Sequence, residues 1–256
     1  MKKIVACLVV VLMASSAVPQ TEAAGWYLRA AAGFEQGLAA DFSDDDAAAA
    51  NAYFGVGPGS DGRGIHADGD FGTVLGLEAA VGKQILPWLR AELALTYRPS
   101  MQYRAQANFR GVTGDQPVTA RADSLSGTAN VYLDVAGLPG VRLGRFQPYV
   151  GGGLGVARNW LGEMTYGFPG LPVHKVTVTP GGSRTDLAFL ATIGTGVVLT
   201  ERLVLDVAYR YTDLGRVATD PGRMYLNHIP AGAEVSGTWA PLRTHGLFAG
   251  LRYLFR

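Results

Sequence analysis

Gly246-Leu-Phe-Ala-Gly-Leu-Arg-Tyr-Leu-Phe255, followed by Arg256, ends the chain. In an extended strand Leu247, Ala249, Leu251, Tyr253 and Phe255 share one side, and Gly246, Phe248, Gly250, Arg252 and Leu254 share the other. A strand with one greasy face and aromatic residues near its end is how a transmembrane β-barrel closes. The opposite end agrees: Lys2 and Lys3 precede an unbroken apolar run from Ile4 to Ala14 and a small-residue stretch ending Thr21-Glu-Ala23-Ala24, which reads as an export signal. Cleavage is expected after Ala23, with Ala24 the near alternative, which leaves a signal over residues 1–23 and one barrel domain over 24–256.

Cys7, the one cysteine, leaves with the signal, so the mature chain has neither a disulfide framework nor a cysteine metal site. Loss of Lys2, Lys3 and Glu22 takes the formal charge from +1 to zero, and nucleic acid is excluded as a partner because its binding needs clustered basic charge. Beyond the signal no apolar run approaches the roughly 18 to 20 residues of a spanning helix. A mature chain that crosses a membrane must therefore do so as a closed barrel, where every strand hydrogen bond is made internally. Glycine, at 35 residues, suits tightly curved strands better than helices.

Alternation with a consistent polar side recurs in eight segments, over residues 26–35, 71–82, 89–98, 124–135, 149–156, 187–198, 203–212 and 246–255. The second sets Phe71, Thr73, Leu75, Leu77, Ala79 and Val81 against small residues and Glu78. The third sets Leu89 through Tyr97 against Arg90, Glu92, Ala94, Thr96 and Arg98. Links alternate in length: short around Lys83 to Trp88, Ala136 to Phe146 and Leu199 to Arg202, and long over Gln36 to Asp70, Pro99 to Asp123, Asn159 to Arg184 and Asp213 to Arg243. The fold expected is all-β: an eight-stranded antiparallel transmembrane barrel with short periplasmic turns and long extracellular loops. Trp26, Trp88, Tyr149, Tyr253 and Phe255 would mark the periplasmic rim, with Tyr97 and Tyr211 at the outer one. A soluble sandwich or lipocalin-like barrel would explain the alternation with its apolar face inward, but not the rims and the asymmetric links together.

In Ala129-Asn-Val-Tyr-Leu-Asp-Val135, Pro148-Tyr-Val-Gly-Gly-Gly-Leu-Gly155, Leu205-Asp-Val-Ala-Tyr-Arg-Tyr-Thr-Asp-Leu-Gly215 and Gly250-Leu-Arg-Tyr-Leu-Phe255 the chain resembles the opacity-protein and surface-antigen family of small outer-membrane barrels, related in architecture to the membrane domain of outer-membrane protein A. The resemblance covers the strands and leaves the long loops unmatched. It implies location in the outer membrane, contact with its lipid and lipopolysaccharide, and delivery to the barrel-assembly machinery through the C-terminal strand. Family members typically end on the aromatic itself, whereas here Arg256 follows Phe255.

An eight-stranded barrel has an interior that side chains can fill. The inward faces supply Arg29, Arg90, Arg210 and Arg252 together with Glu78, Glu92 and Asp206. Two readings apply, a gate, proton path or carboxylate pair, or an ion-paired plug that makes the interior tolerable for charge; the plug is preferred, because an unpaired buried ion is costly. His66, His174, His228 and His245 fall in loops or at a strand margin with no metal spacing. His245 lacks the nearby serine that a lipid A deacylase would need, so no catalytic residue, metal or cofactor is assigned. Asp41-Phe-Ser43-Asp44-Asp45 looks like a calcium loop but has Asp46 where glycine belongs and Ala52 where a bidentate Glu belongs. The last long loop carries Met224, Tyr225, Leu226, Ile229, Val235 and Trp239, which reads as strand extension or a contact surface. The function expected is therefore structural or surface-interactive and non-enzymatic, with loops facing neighbours or a host. A narrow channel or carrier for small hydrophobic compounds is the alternative, and a lipid A-modifying enzyme comes third.

Overall fold

Side chains that alternate in character along a strand are all accommodated when the sheet closes and encloses one face. The computed structural model encloses the polar face. It describes residues 25–44, 57–112, 114–171, 175–227 and 229–255; the expected signal segment, Asp45, Asp46, Ala52, His174, His228 and Arg256 lie outside them. The strands in chain order are β1 (Trp26–Gly37), β2 (Ala40–Asp44), β3 (Ala67–Asp70), β4 (Thr73–Leu86), β5 (Leu89–Ala107), β6 (Pro117–Asp134), β7 (Phe146–Leu161), β8 (Met164–Phe168), β9 (Lys175–Thr179), β10 (Gly182–Val198), β11 (Leu203–Ala218), β12 (Gly222–Leu226), β13 (Ile229–Val235) and β14 (Thr238–Leu254).

Eight of them form a closed antiparallel ring, β1–β4–β5–β6–β7–β10–β11–β14 and back to β1. The first and last strands close it, in register from Tyr27↔Leu254 to Gly37↔Thr244. Closure removes both sheet edges, which is what lets strands stand in hydrocarbon. Leu28, Phe34, Leu93, Leu154, Leu187, Ile193 and Leu247 point out of the ring and are exposed, Leu187 to 82%. At the end of the ring that carries both β1's start and β14's finish, turns are short: β4 passes to β5 through Pro87 and Trp88, and β10 to β11 through residues 199–202.

The opposite end differs from the sequence expectation in how little of it is loop. β5 runs on to Ala107, β6 begins at Pro117, β7 ends at Leu161, β10 begins at Gly182, and β11 and β14 reach Ala218 and Thr238. Much of each expected long loop is therefore wall that continues above the apolar belt. β2 and β3 join β14 to β5, while β8, β9, β12 and β13 extend from β6. The apolar stretch of the last loop forms the β12–β13 hairpin, with Gly222↔Val235 at its base. Extended residues on an interior-facing wall stay apolar without any bilayer beside them, so the alternation that stops at a membrane boundary does not mark a strand's end.

Phe71 is a second correction. Strict alternation assigns it to the lipid face, yet it is 1% exposed and packs inside against Tyr103, with ring centroids 5.1 Å apart. Gly72 has φ +61°, a left-handed conformation that glycine adopts without penalty. That one residue breaks the phase between β3 and β4 and turns the phenyl ring inward.

Candidate functional site: an ion-paired lumen

Arg29, Glu78, Arg90, Glu92, Asp206, Arg210 and Arg252 occupy inward positions on β1, β4, β5, β11 and β14 and are buried. Lowest in the ring, Arg252 of β14 makes a bidentate pair with Asp206 of β11, Nε and Nη2 each 3.0 Å from a carboxylate oxygen. Beside it Arg90 donates from Nε to Asp134 Oδ1 at 3.0 Å, and its guanidinium lies over the rings of Tyr132 and Tyr149 at 4.4 and 4.5 Å. Opposite Arg252 in the β1–β14 ladder, Arg29 bonds Glu92 through Nε at 3.0 Å and Nη2 at 2.6 Å, and its Nη2 is 2.7 Å from Glu78. Glu78 is also held by Arg210, with Nη2 at 3.0 Å from Oε1 and Nη1 on Oε2, and by the Thr96 hydroxyl at 2.7 Å.

A further layer was not gathered from the sequence. Arg98 donates to Glu35 from Nε at 2.6 Å and Nη2 at 3.2 Å, and Thr244 donates to the same carboxylate at 2.7 Å. Both charged residues lie near the far end of their alternating segments, where a polar side chain reads equally well as loop margin. With Asp134 included, Arg29, Arg90, Arg98, Arg210 and Arg252 stand against Glu35, Glu78, Glu92, Asp134 and Asp206, and these interior charges cancel. Multiple hydrogen bonds per carboxylate are the condition under which a buried ion pair repays its desolvation.

Tyr149 corrects the rim assignment. It is 5% exposed, faces the lumen, and meets Tyr132 edge-on at 5.6 Å. The next inward positions of β7 are Gly151, Gly153 and Gly155, which bring no side chains, so the interior space beside Arg90 is filled from Tyr149 instead. Trp26, Tyr97, Tyr253 and Phe255 point outward and are exposed, and Trp88 and Tyr211 are half-buried. Arg90 pairs with Asp134 and with none of the three acids expected for it, because Asp134 ends β6 directly beside the start of β5.

Above the ion pairs the interior turns apolar. Phe42, Phe71, Met101, Tyr103, Val118, Leu161, Met164, Leu214, Val217 and Leu242 form one buried cluster. The Tyr103 hydroxyl reaches the carbonyls of Ala40 and Ala67 at 2.9 and 2.8 Å, tying β5 to β2 and β3. Outside the belt a second polar assembly gathers Arg63, His66, Asp61, Asp68 and Asn108, with Arg63 donating to Asp61 at 2.8 Å and to Asp68 at 2.9 Å. The hydrogen bonds from Arg63 and Asn108 hold the Asp61 carboxyl well below the usual carboxylate range. Burial and the facing Asp68 push Asp41 up.

Asp41 and Asp44, read as part of a broken calcium pattern, belong to β2, where Asp44 accepts from the Ser236 hydroxyl at 2.6 Å. Among the described residues, no group of three or more His, Cys, Asp or Glu side chains is placed to hold a metal ion. His245 lies inside β14, not at its margin, and its Nδ1 is 2.9 Å from the Tyr209 hydroxyl on the outer face. Neither described histidine has a serine among its hydrogen-bond partners.

A ring that is apolar outside and ion-paired inside defines a transmembrane β-barrel. The chain belongs to the outer membrane protein beta-barrel family, whose sequence profile matches residues 5–255. No curated protein matches it in sequence. Among solved structures it is similar to outer membrane protein OprG from Pseudomonas aeruginosa, at 17% identity and a TM-score of 0.48 over 91% of this chain and 97% of that one. Neisserial surface protein A shares 17% identity at a TM-score of 0.42 over 91% of this chain and 100% of that one. The outer membrane protease OmpT from Escherichia coli shares 10% identity at a TM-score of 0.46 over 92% and 99% of the two chains. At such identities and scores none of the three bears on the task of this chain.

Proposed function

We propose that this protein is a non-catalytic outer-membrane anchor that offers its extended outer walls and loops to neighbouring or host surface molecules, with a lumen closed to steady ion flow. The observation that supports it is the filled interior: ion pairs through the lower half, and above them a packed cluster in which Phe42, Met101, Leu214 and Leu242 are each 0% exposed. A pore needs a continuous wet path, and both halves of this interior oppose one. Assembly through the C-terminal strand and contact with lipopolysaccharide belong to the same reading. In planar bilayers the unmodified protein is expected to show small or intermittent conductance. Steady, large, ion-selective conductance that persists in Glu78→Ala and Arg252→Ala would instead make it a porin.

The apolar upper interior favours a second reading, a carrier for small hydrophobic compounds. Saturable displacement of an apolar fluorescent probe from the folded barrel would support the carrier, and an absence of displacement supports the closed anchor. Whichever holds, the closed ladder should resist detergent until boiled, so unboiled and boiled samples should migrate differently on a gel. Recovery in the soluble periplasmic fraction would end both readings.

A further inference from the structure

The backbone ladder between β10 and β11 stops short of the upper end of the wall. The β10–β11 register runs from Val198↔Val204 up to Phe189↔Asp213 and stops, although β10 begins at Gly182 and β11 continues to Ala218. Above that point β11 pairs with β14 on its other side, through Arg216↔Pro241, Val217↔Ala240 and Ala218↔Trp239. Gly215, at φ +75°, swings β11 away from β10, and the two strands meet again where Asp220 N donates to Gly181 O at 3.1 Å. Side chains substitute for the missing ladder. Asp186 of β10 accepts from the Arg216 amide at 2.9 Å, and Asn159 of β7 donates to the carbonyls of Leu214 and Arg216, each at 2.8 Å.

Two arginine–tryptophan pairs flank this seam on the outer surface. On the β7 side Arg158 lies over Trp160 at 5.4 Å, and on the β11–β14 side Arg216 lies over Trp239 at 4.5 Å. Both arginines are exposed, and among the described residues neither has a carboxylate within salt-bridge distance. Thr185 stands opposite Arg158 on β10, between the two sides. β10 runs between the strands that carry the two arginines, so Arg158 and Arg216 stand on opposite sides of the seam. Below Arg158 and Thr185 the outward residues are the apolar Val156, Leu187 and Phe189, and below Arg216 the Asp213–Arg243 ion pair comes first and the aromatic Tyr211 beneath it. The pair of cations therefore sits where acyl chains end and headgroups begin, which is also where tryptophan prefers to lie.

We infer that the headgroup of a phosphorylated glycolipid of the outer leaflet binds across the β10–β11 seam, one phosphate at Arg158 and another at Arg216, and clamps the part of the wall that lacks a backbone ladder. The inference rests on the outer-membrane placement. It commits to a glycolipid with separated phosphates because two cations on opposite sides of the seam, neither held by a carboxylate, match two anionic groups on one rigid headgroup better than one.

Hydrogen exchange of the full chain in zwitterionic phospholipid vesicles tests it, with and without a bis-phosphorylated lipid A glycolipid. Amides of residues 182–188 and 214–218 are expected to exchange several-fold more slowly when the glycolipid is present. The slowing should vanish in Arg158→Gln and in Arg216→Gln, both of which keep the backbone latch, and persist in Arg202→Gln at the short-turn end. Equal slowing by the dephosphorylated glycolipid or by phosphatidylglycerol, or undiminished slowing in the two variants, would overturn the site while leaving the barrel in place. A chain that fails to insert would exchange rapidly along β1 and β14 as well, and that outcome overturns the placement and the site together.

Discussion

Glu78→Ala is expected to lower the unfolding free energy by about 3 to 5 kcal/mol, the usual cost of removing one partner from a buried ion pair. Glu78 is the hub of the lumen: it accepts from Arg210, Arg29 and Thr96, and its side chain has no solvent contact. Its removal affects the two arginines unequally. Arg29 keeps two hydrogen bonds to Glu92, whereas Arg210 loses its carboxylate and is left over the Phe248 ring at 4.4 Å. The cost therefore lies mainly in an orphaned guanidinium. A second replacement, Arg210→Leu, should recover part of the loss, since the two changes share one interaction and cannot add. Urea titration of the barrel in vesicles measures both. A loss under about 1 kcal/mol for the single change, with no recovery in the double, would mean that water already screens this layer.

The sequence carried the barrel because alternation is a property of each strand by itself. Eight segments with the same polarity sense, joined by links of alternating length, leave little choice of architecture, and every segment overlaps one ring strand. The pairing inside was less legible. Parity places Arg90 and Asp134 on the inner face, but which acid meets which arginine depends on strand order and register, and Arg90 meets Asp134 because β5 starts where β6 ends. Tyr149 shows the competing signals directly. Its closeness to the turn suggests a rim aromatic, its parity with Gly151 and Gly153 suggests the lumen, and the space those glycines leave decides for the lumen. The β10–β11 seam was not legible at all, since a left-handed glycine and a side-chain latch leave no periodic trace. The upper walls were hidden for a simpler reason. Met101, Tyr103, Val118 and Ala120 alternate with polar residues that face water rather than lipid, so the outward signal disappears while the strand continues.

Leu93→Arg should destabilise the barrel by about 2 to 4 kcal/mol, the range for a cation placed near the bilayer midplane on the lipid face. Leu93 is 63% exposed, and its neighbours across the ladder are Val81 on β4 and Ala129 on β6, both on the apolar face. In water such a change on an exposed strand position would cost little, because an arginine there stays solvated. The effect thus reports what surrounds the residue and not how it packs. Asp115→Arg, at an exposed position between β5 and β6, provides the comparison and should be nearly neutral. The difference between the two is the informative quantity. If the ring were a soluble barrel its ion pairs would still fill the centre, its leucines would still point outward, and both substitutions would be mild. A large penalty confined to Leu93 in vesicle-embedded protein requires hydrocarbon against β5, and equal penalties at the two positions would mean that the apolar belt does not face lipid.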